Sequence, residues 1–228
     1  LGRQAISCHC ALVAGLRFSG SFAFDGLVSA VTSRDYPSQI TTLVDSTTEM
    51  VLAMTHCITE RGGRRTAKQR RRIVRKRLVW RPKANALRDA IALLVHEIPQ
   101  FARTHRMVVD IDMNPAYTAA LAGDLAMRWY AEHQLLTVRR TPGSAPRTVA
   151  NRLFAINYVD RMIRHRVKEH TRESIALGRN STMQMYRMWI FAWDHNVRQP
   201  HRVAGADHRS RAVKAGASEV LVGRLTRH

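Results

Sequence analysis

The stretch SFAFDGLVSAVTSRDYPSQITTLVDSTTEMVLAMTHC, residues 21–57, decides the fold. Three runs within it, SFAFDGLVSAV, QITTLVDS and EMVLAMTHC, are rich in β-branched and aromatic residues and are bounded by turn formers such as Asp35, Pro37 and Ser46. Strands at such close spacing read as an antiparallel meander. Further on the periodicity changes. In ANALRDAIALLVHEIPQ, residues 84–100, Ala84, Leu87, Ile91, Leu94 and Val95 recur at helical spacing and Pro99 closes the helix. RMVVDID then reads as a strand, NPAYTAALAGDLAMRWY as a helix opened by Asn114 and Pro115, and HQLLTVRR as another strand. Two helical segments follow, over about 150–176 and 181–198, and the second is apolar nearly all round, as a buried helix would be. The order β-β-β-α-β-α-β-α predicts an α/β fold with a mixed sheet flanked by helices.

Composition bounds the partner. The chain has 228 residues, 37 Lys and Arg against 17 Asp and Glu, and a formal net charge of +20. Its hydrophobic fraction of 45% suits one sizeable core, and its charge points to a polyanion, with nucleic acid the first candidate. Three cysteines, Cys8, Cys10 and Cys57, are too few and too oddly numbered for a disulfide framework. The Cys-His-Cys run lacks the second pair that a structural zinc site needs. No run approaches the roughly 20 apolar residues that span a bilayer, so no membrane partner is expected. A cytoplasmic, nucleoid-associated protein in a reducing interior is the expectation.

Residues 60–83, ERGGRRTAKQRRRIVRKRLVWRPK, carry ten bases between Arg61 and Arg77 and read as a loop leading into a basic helix, inserted after the third strand. Such a density of like charge is unfavourable without a counter-charge. Arg64, Arg65, Arg70, Arg71, Arg72, Arg75, Lys76 and Arg77 are therefore candidates for backbone phosphate contacts, with Arg172 and Arg179 further along.

With few acids in the chain, each one in an apolar setting is informative. Asp25 interrupts the first strand, where a lone ionised carboxylate is costly without a compensating cation. Asp110 and Asp112 alternate onto one face at the C-terminal end of a later strand, where functional side chains of α/β sheets collect. His170 and Glu173 fall three apart on one helical face. Acids from a first strand, a later strand end and a late helix are the parts from which a site for a hard divalent cation is built.

These residues resemble the DDE transposases of bacterial insertion sequences, which have a ribonuclease-H-like catalytic core. The resemblance rests on FDGLVSAVTSRDYPSQITTLV, RRTAKQRRRIVRKR, DMNPAY, NRLFAINYVDRMIRHRVKEHTRESIALGRN and MWIFAWDHNVRQPHR, and spans about residues 20–202. It implies a ribonuclease-H-like domain over 18–200, with 1–17 the remnant of an N-terminal DNA-binding region or a linker helix; the polar, basic and weakly patterned residues 201–228 read as a flexible tail. It implies Asp25, Asp112 and Glu173 as the catalytic acids holding Mg²⁺ or Mn²⁺, with His170 orienting the scissile phosphate or assisting proton transfer. It implies DNA cleavage and strand transfer, with insertion-sequence ends and target DNA as partners and a homodimer or higher oligomer on DNA. Asn114, Leu27 and Ser174 stand where the family often has His, Phe and Thr. The competing reading is a nonenzymatic nucleic-acid-binding protein, or an inactive remnant, whose acids merely pair with the excess arginines.

Overall fold

The computed structural model describes residues 1–30, 34–171, 180–201 and 207–226. Its centre is a five-stranded sheet in the order β3-β2-β1-β4-β5, formed by β1 (Ser21–Ala30), β2 (Pro37–Asp45), β3 (Val51–Ile58), β4 (Met107–Asp112) and β5 (Leu136–Thr141). β1, β2 and β3 form the expected antiparallel meander, and β4 and β5 add in parallel on the other side of β1. The result is the expected mixed sheet flanked by helices.

Period-two alternation sends the side chains of β1 to two different cores. Phe22 and Phe24 join Leu43, Val109 and Ile111 under α3 (Ala86–Phe101), α4 (Pro115–Gly123) and α5 (Leu125–Glu132). Ala23 and Leu27 join Ile40 and Val44 under α6 (Phe154–Arg166) and α7 (Ser181–Trp193). Asp25 lies between Ala23 and Leu27 in this alternation and so faces the α6 side.

The helices follow their sequence signals with three differences. The helix expected over 114–130 is broken at Asp124, whose carboxylate accepts from the Met127 amide and starts α5. The helix expected from 150 begins at Phe154 and ends at Arg166, followed by a 3₁₀ turn over Lys168–His170. α7 is not sheathed all round: Met188, Phe191 and Ala192 are buried, but Met183 and Ile190 are exposed.

Described residues near both ends pack onto the core. α1 (Gly2–Ala14) buries His9, Leu12 and Val13, and the His9 ring bonds to the Leu52 carbonyl. The expectation of a flexible tail from 201 is corrected over 207–226, which forms α8 (Arg211–Lys214) and α9 (Glu219–Leu225). Ala212, Ala217 and Val222 enter the core, and the buried Arg211 pairs with buried Glu49 at 3.4 Å while donating to the His195 and Pro200 carbonyls. These contacts, too widely spaced for a short-range sequence pattern, offset the entropy of ordering the segment.

The basic insertion forms α2 (Ala67–Val79), begun by a capping box between Thr66 and Gln69. Only Ile73 of this helix is buried.

Candidate active site

Continuing the β1–β4 register, which pairs Ala23 with Asp110, by two residues puts Asp25 alongside Asp112 on the same face. Asp25 is half-buried, and its Oδ1 accepts from the Gly26 amide at 2.7 Å and from the Tyr117 hydroxyl at 3.3 Å. Burial pushes its carboxyl above the usual carboxylate range, the Gly26 amide opposes this, and the neighbouring Asp112 charge adds to the rise. Asp112 accepts from the Asn114 amide at 2.7 Å, and Asn114 in turn caps α4 through the Ala116 amide at 3.0 Å. The short link from β4 to α4 thus fixes Asp112 at the strand end.

Asp110 has a different job. Arg139, its neighbour on β5, grips both carboxylate oxygens at 2.7 and 2.6 Å, and Asp110 is buried.

α6 brings a third carboxylate that the sequence reading did not single out. Asp160 follows Ile156 by four residues and precedes Ile163 by three, which puts it on the edge of the buried stripe of α6. Its Oδ1 is shielded from solvent and has no hydrogen-bond partner among the described residues. Burial, reinforced by the Asp25 charge and opposed by Arg164 and Arg147, pushes its carboxyl up to about 7. The buried Tyr117 hydroxyl lies within the field of all three acids: after burial, Asp25, Asp112 and Asp160 each raise its pKa. Gly26 leaves the room for that hydroxyl, since a Cβ there would come within 2.8 Å of it.

A cavity of about 470 Å³ opens against Asp25, Gly26 and Asp160, with Arg147, Asn157 and Arg164 on its walls. In a chain with 37 bases and 17 acids, Asp25, Asp112 and Asp160 make no ion pair among the described residues. No three His, Cys, Asp or Glu side chains among the described residues converge closely enough to hold a metal ion as they stand. The donor set nevertheless fits a hard divalent cation in its chemistry: all donors are carboxylate oxygens, and one of them is a buried orphan.

The other expected site residues are placed as follows. Glu173, Arg172 and Arg179 lie outside the described residues. His170 is buried, its ring nitrogens have no hydrogen-bond partner among the described residues, and burial with the nearby Arg164 lowers its pKa to about 4, so it is neutral at pH 7. The acid it approaches among the described residues is Glu169, at 3.9 Å. On the basic arm, Arg72 and Lys76 hold the buried Asp35 at 2.6 and 2.9 Å, while Arg65 and Arg77 hold Glu60 at 2.7 and 2.8 Å. Arg64, Arg70, Arg71 and Arg75 are exposed and make no ion pair among the described residues.

No protein-family model matches the chain, and no curated protein matches it. Solved structures similar in architecture include the simian T-cell lymphotropic virus intasome in complex with PP2A regulatory subunit B56 gamma. It matches over 90% of this chain and 57% of that one, at 13% identity and a TM-score of 0.45. The chain therefore spans little more than half of that protein. The HTLV-2 integrase catalytic core in complex with magnesium, in its dimeric form, matches over 89% and 99%, at 10% identity and a TM-score of 0.36. Ciona intestinalis endonuclease V in complex with DNA matches over 72% and 68%, at 10% identity and a TM-score of 0.26. No described helix is long and apolar enough to cross a membrane.

Proposed function

We propose that the chain cleaves DNA phosphodiesters and joins the resulting ends to a target, as a transposase of the DDE type. The observation that carries this reading is the gathering of Asp25, Asp112 and Asp160 around the Tyr117 hydroxyl with no ion pair among the described residues, in a chain where other buried acids such as Asp35 and Asp110 have one.

Asp25, Asp112 and Asp160 are the residues that would hold Mg²⁺ or Mn²⁺, with Glu173 as the alternative third acid. A divalent ion bound there would supply Lewis-acid polarisation of the phosphate and a more acidic attacking hydroxyl. The chain's own groups do the rest. Tyr117 and the Gly26 amide hold Asp25 in one orientation, and Asn114 does the same for Asp112. Arg147 and Arg164 place positive charge at the cavity where a phosphate would sit. The His170 carbonyl accepts from Arg164 at 3.4 Å and so helps to position that guanidinium. The exposed Arg64, Arg70, Arg71 and Arg75 would grip DNA phosphates outside the cavity.

The test is a metal-dependent cleavage and strand-transfer assay on DNA carrying the element's ends, with Asp25→Asn, Asp112→Asn, Asp160→Asn and Glu173→Gln. Loss of both steps in the first three variants is expected. Activity in Glu173→Gln with none in Asp160→Asn assigns the third acid to Asp160, and the reverse assigns it to Glu173. Equal activity in all four variants contradicts the reading, and cutting without joining points to a nuclease of the same fold.

A further inference from the structure

The cavity beside the acids has a second, aromatic end. Phe154 and Tyr158 both line it, one turn apart on α6, with ring planes within 24° of parallel and centroids 6.3 Å apart. Asn157 faces the same space, half-buried, and its side-chain amide makes no hydrogen bond among the described residues. Arg161 also lines it, exposed and without an ion pair among the described residues.

From Phe154 to Asp160 the helix rises about 9 Å at 1.5 Å per residue, the reach of a single nucleotide from phosphate to base. A volume of about 470 Å³ is that of a pocket for one small ligand and too small for a base pair with its backbone. Its chemistry changes along its length. Carboxylates and guanidiniums stand at one end, and the Phe154 ring, backed by Tyr158, stands with one bifunctional amide at the other. A paired base offers neither its faces nor its pairing edge, whereas an unpaired base offers both to the ring and to an amide that donates and accepts.

We propose that this end of the cavity takes the base of one unpaired nucleotide adjoining the phosphate that faces the acids, with Phe154 as the stacking surface, Tyr158 backing it with its own ring under the Arg211 guanidinium, and Asn157 on the base edge. This rests on the DNA-processing reading above and adds to it that the DNA is locally unpaired when it binds.

The experiment measures binding to the full chain in EDTA, so that it does not depend on cleavage. The probes are DNA hairpins of one sequence, fully paired, with one unpaired base in the stem, and with an abasic residue at that position. The hairpin with the unpaired base is expected to bind about 10-fold more tightly than the other two, in keeping with the stacking of one base on aromatic side chains. Phe154→Ala and Phe154→Leu should both lose that preference and keep the parent's affinity for the paired hairpin, which reads the basic arm. Phe154→Leu keeps the apolar bulk, so preserved folding in this variant is checked by its melting temperature. Equal affinity of the parent for all three hairpins overturns the proposal, as does a preference that survives in a folded Phe154→Leu. Displacement of the hairpin by a free deoxynucleoside monophosphate at equal concentration would overturn it in favour of a mononucleotide site. An unpaired-base preference in a chain that never cuts DNA leaves this inference standing and removes the catalytic one.

Discussion

Asp160 on α6 and Asp25 on β1 line one cavity, and the Asp25 charge, added to burial, lifts the Asp160 carboxyl to about 7. Two acids held this way destabilise each other in the metal-free protein. That is the arrangement expected where a cation is to be bound and not where acids merely neutralise arginines.

The cost has a pH signature. An ordinary aspartate titrates near 4 (about 3.9), so between about pH 4 and 7 the native chain keeps a proton that the unfolded chain has released. Stability in EDTA therefore falls as pH rises through this window. Asp160→Asn should melt several degrees above the parent at pH 8 and with it at pH 4, while losing activity. His9, His170 and His195, lowered to about 4, 4 and 3, act with the opposite sign, removing stability as pH falls below their ordinary value. They are the same in both proteins and cancel in the difference. A constant difference in melting temperature across this range contradicts the burial of Asp160.

Tyr117 donates to Asp25, and removing that one hydroxyl should cost about 10-fold in kcat, as loss of a hydrogen bond to a charged group does. Tyr117→Phe keeps the ring packed edge-on against Phe24, at 5.1 Å between centroids, so folding should be retained. Gly26→Ala forces the same hydroxyl aside and should lower kcat similarly. Steady-state cleavage kinetics check both, and wild-type kcat in Tyr117→Phe rules out the positioning role.

The basic arm divides into two sets with separable readouts. Replacing Arg64, Arg70, Arg71 and Arg75 by Ala should flatten the slope of log K against log salt by about 3.6, from about 0.9 per phosphate contact. Replacing Arg72 and Lys76 removes two cations that hold buried Asp35 and should lower the melting temperature without changing the salt slope by as much as the fourfold variant does. Equal slopes for the parent and the fourfold variant would show that α2 does not contact DNA backbone.

Arg211 anchors the C-terminal segment. Arg211→Met leaves the Glu49 carboxylate buried beside β3 without this guanidinium and should lose about 3 kcal/mol in chemical denaturation. A variant as stable as the parent would mean that 207–226 contributes little to the fold.

The sheet was legible because strand alternation and turn formers are local signals, and Asp25 and Asp112 stood out as acids in apolar runs. Asp160 was not singled out. It sits among Arg161, Arg164 and Arg166, where an acid reads as a helix-surface ion pair. The signal that finds it is its spacing from Ile156 and Ile163, which puts a carboxylate on a stripe that has to be buried. The division of the arm was invisible for another reason: which arginines are taken by Asp35 and Glu60 depends on contacts between segments distant along the chain. The packing of 207–226 likewise rests on a buried ion pair reaching from Arg211 to Glu49.

The central claim is that Asp25 and Asp112, with Asp160 or Glu173 as third acid, form one divalent-cation site. Anomalous scattering from a crystal soaked in Mn²⁺ tests it most directly. The account predicts an ion with Asp25 and Asp112 oxygens at about 2.0–2.6 Å and Asp160 or Glu173 completing the set. An ion bound elsewhere, or none at a concentration that supports cleavage, contradicts it.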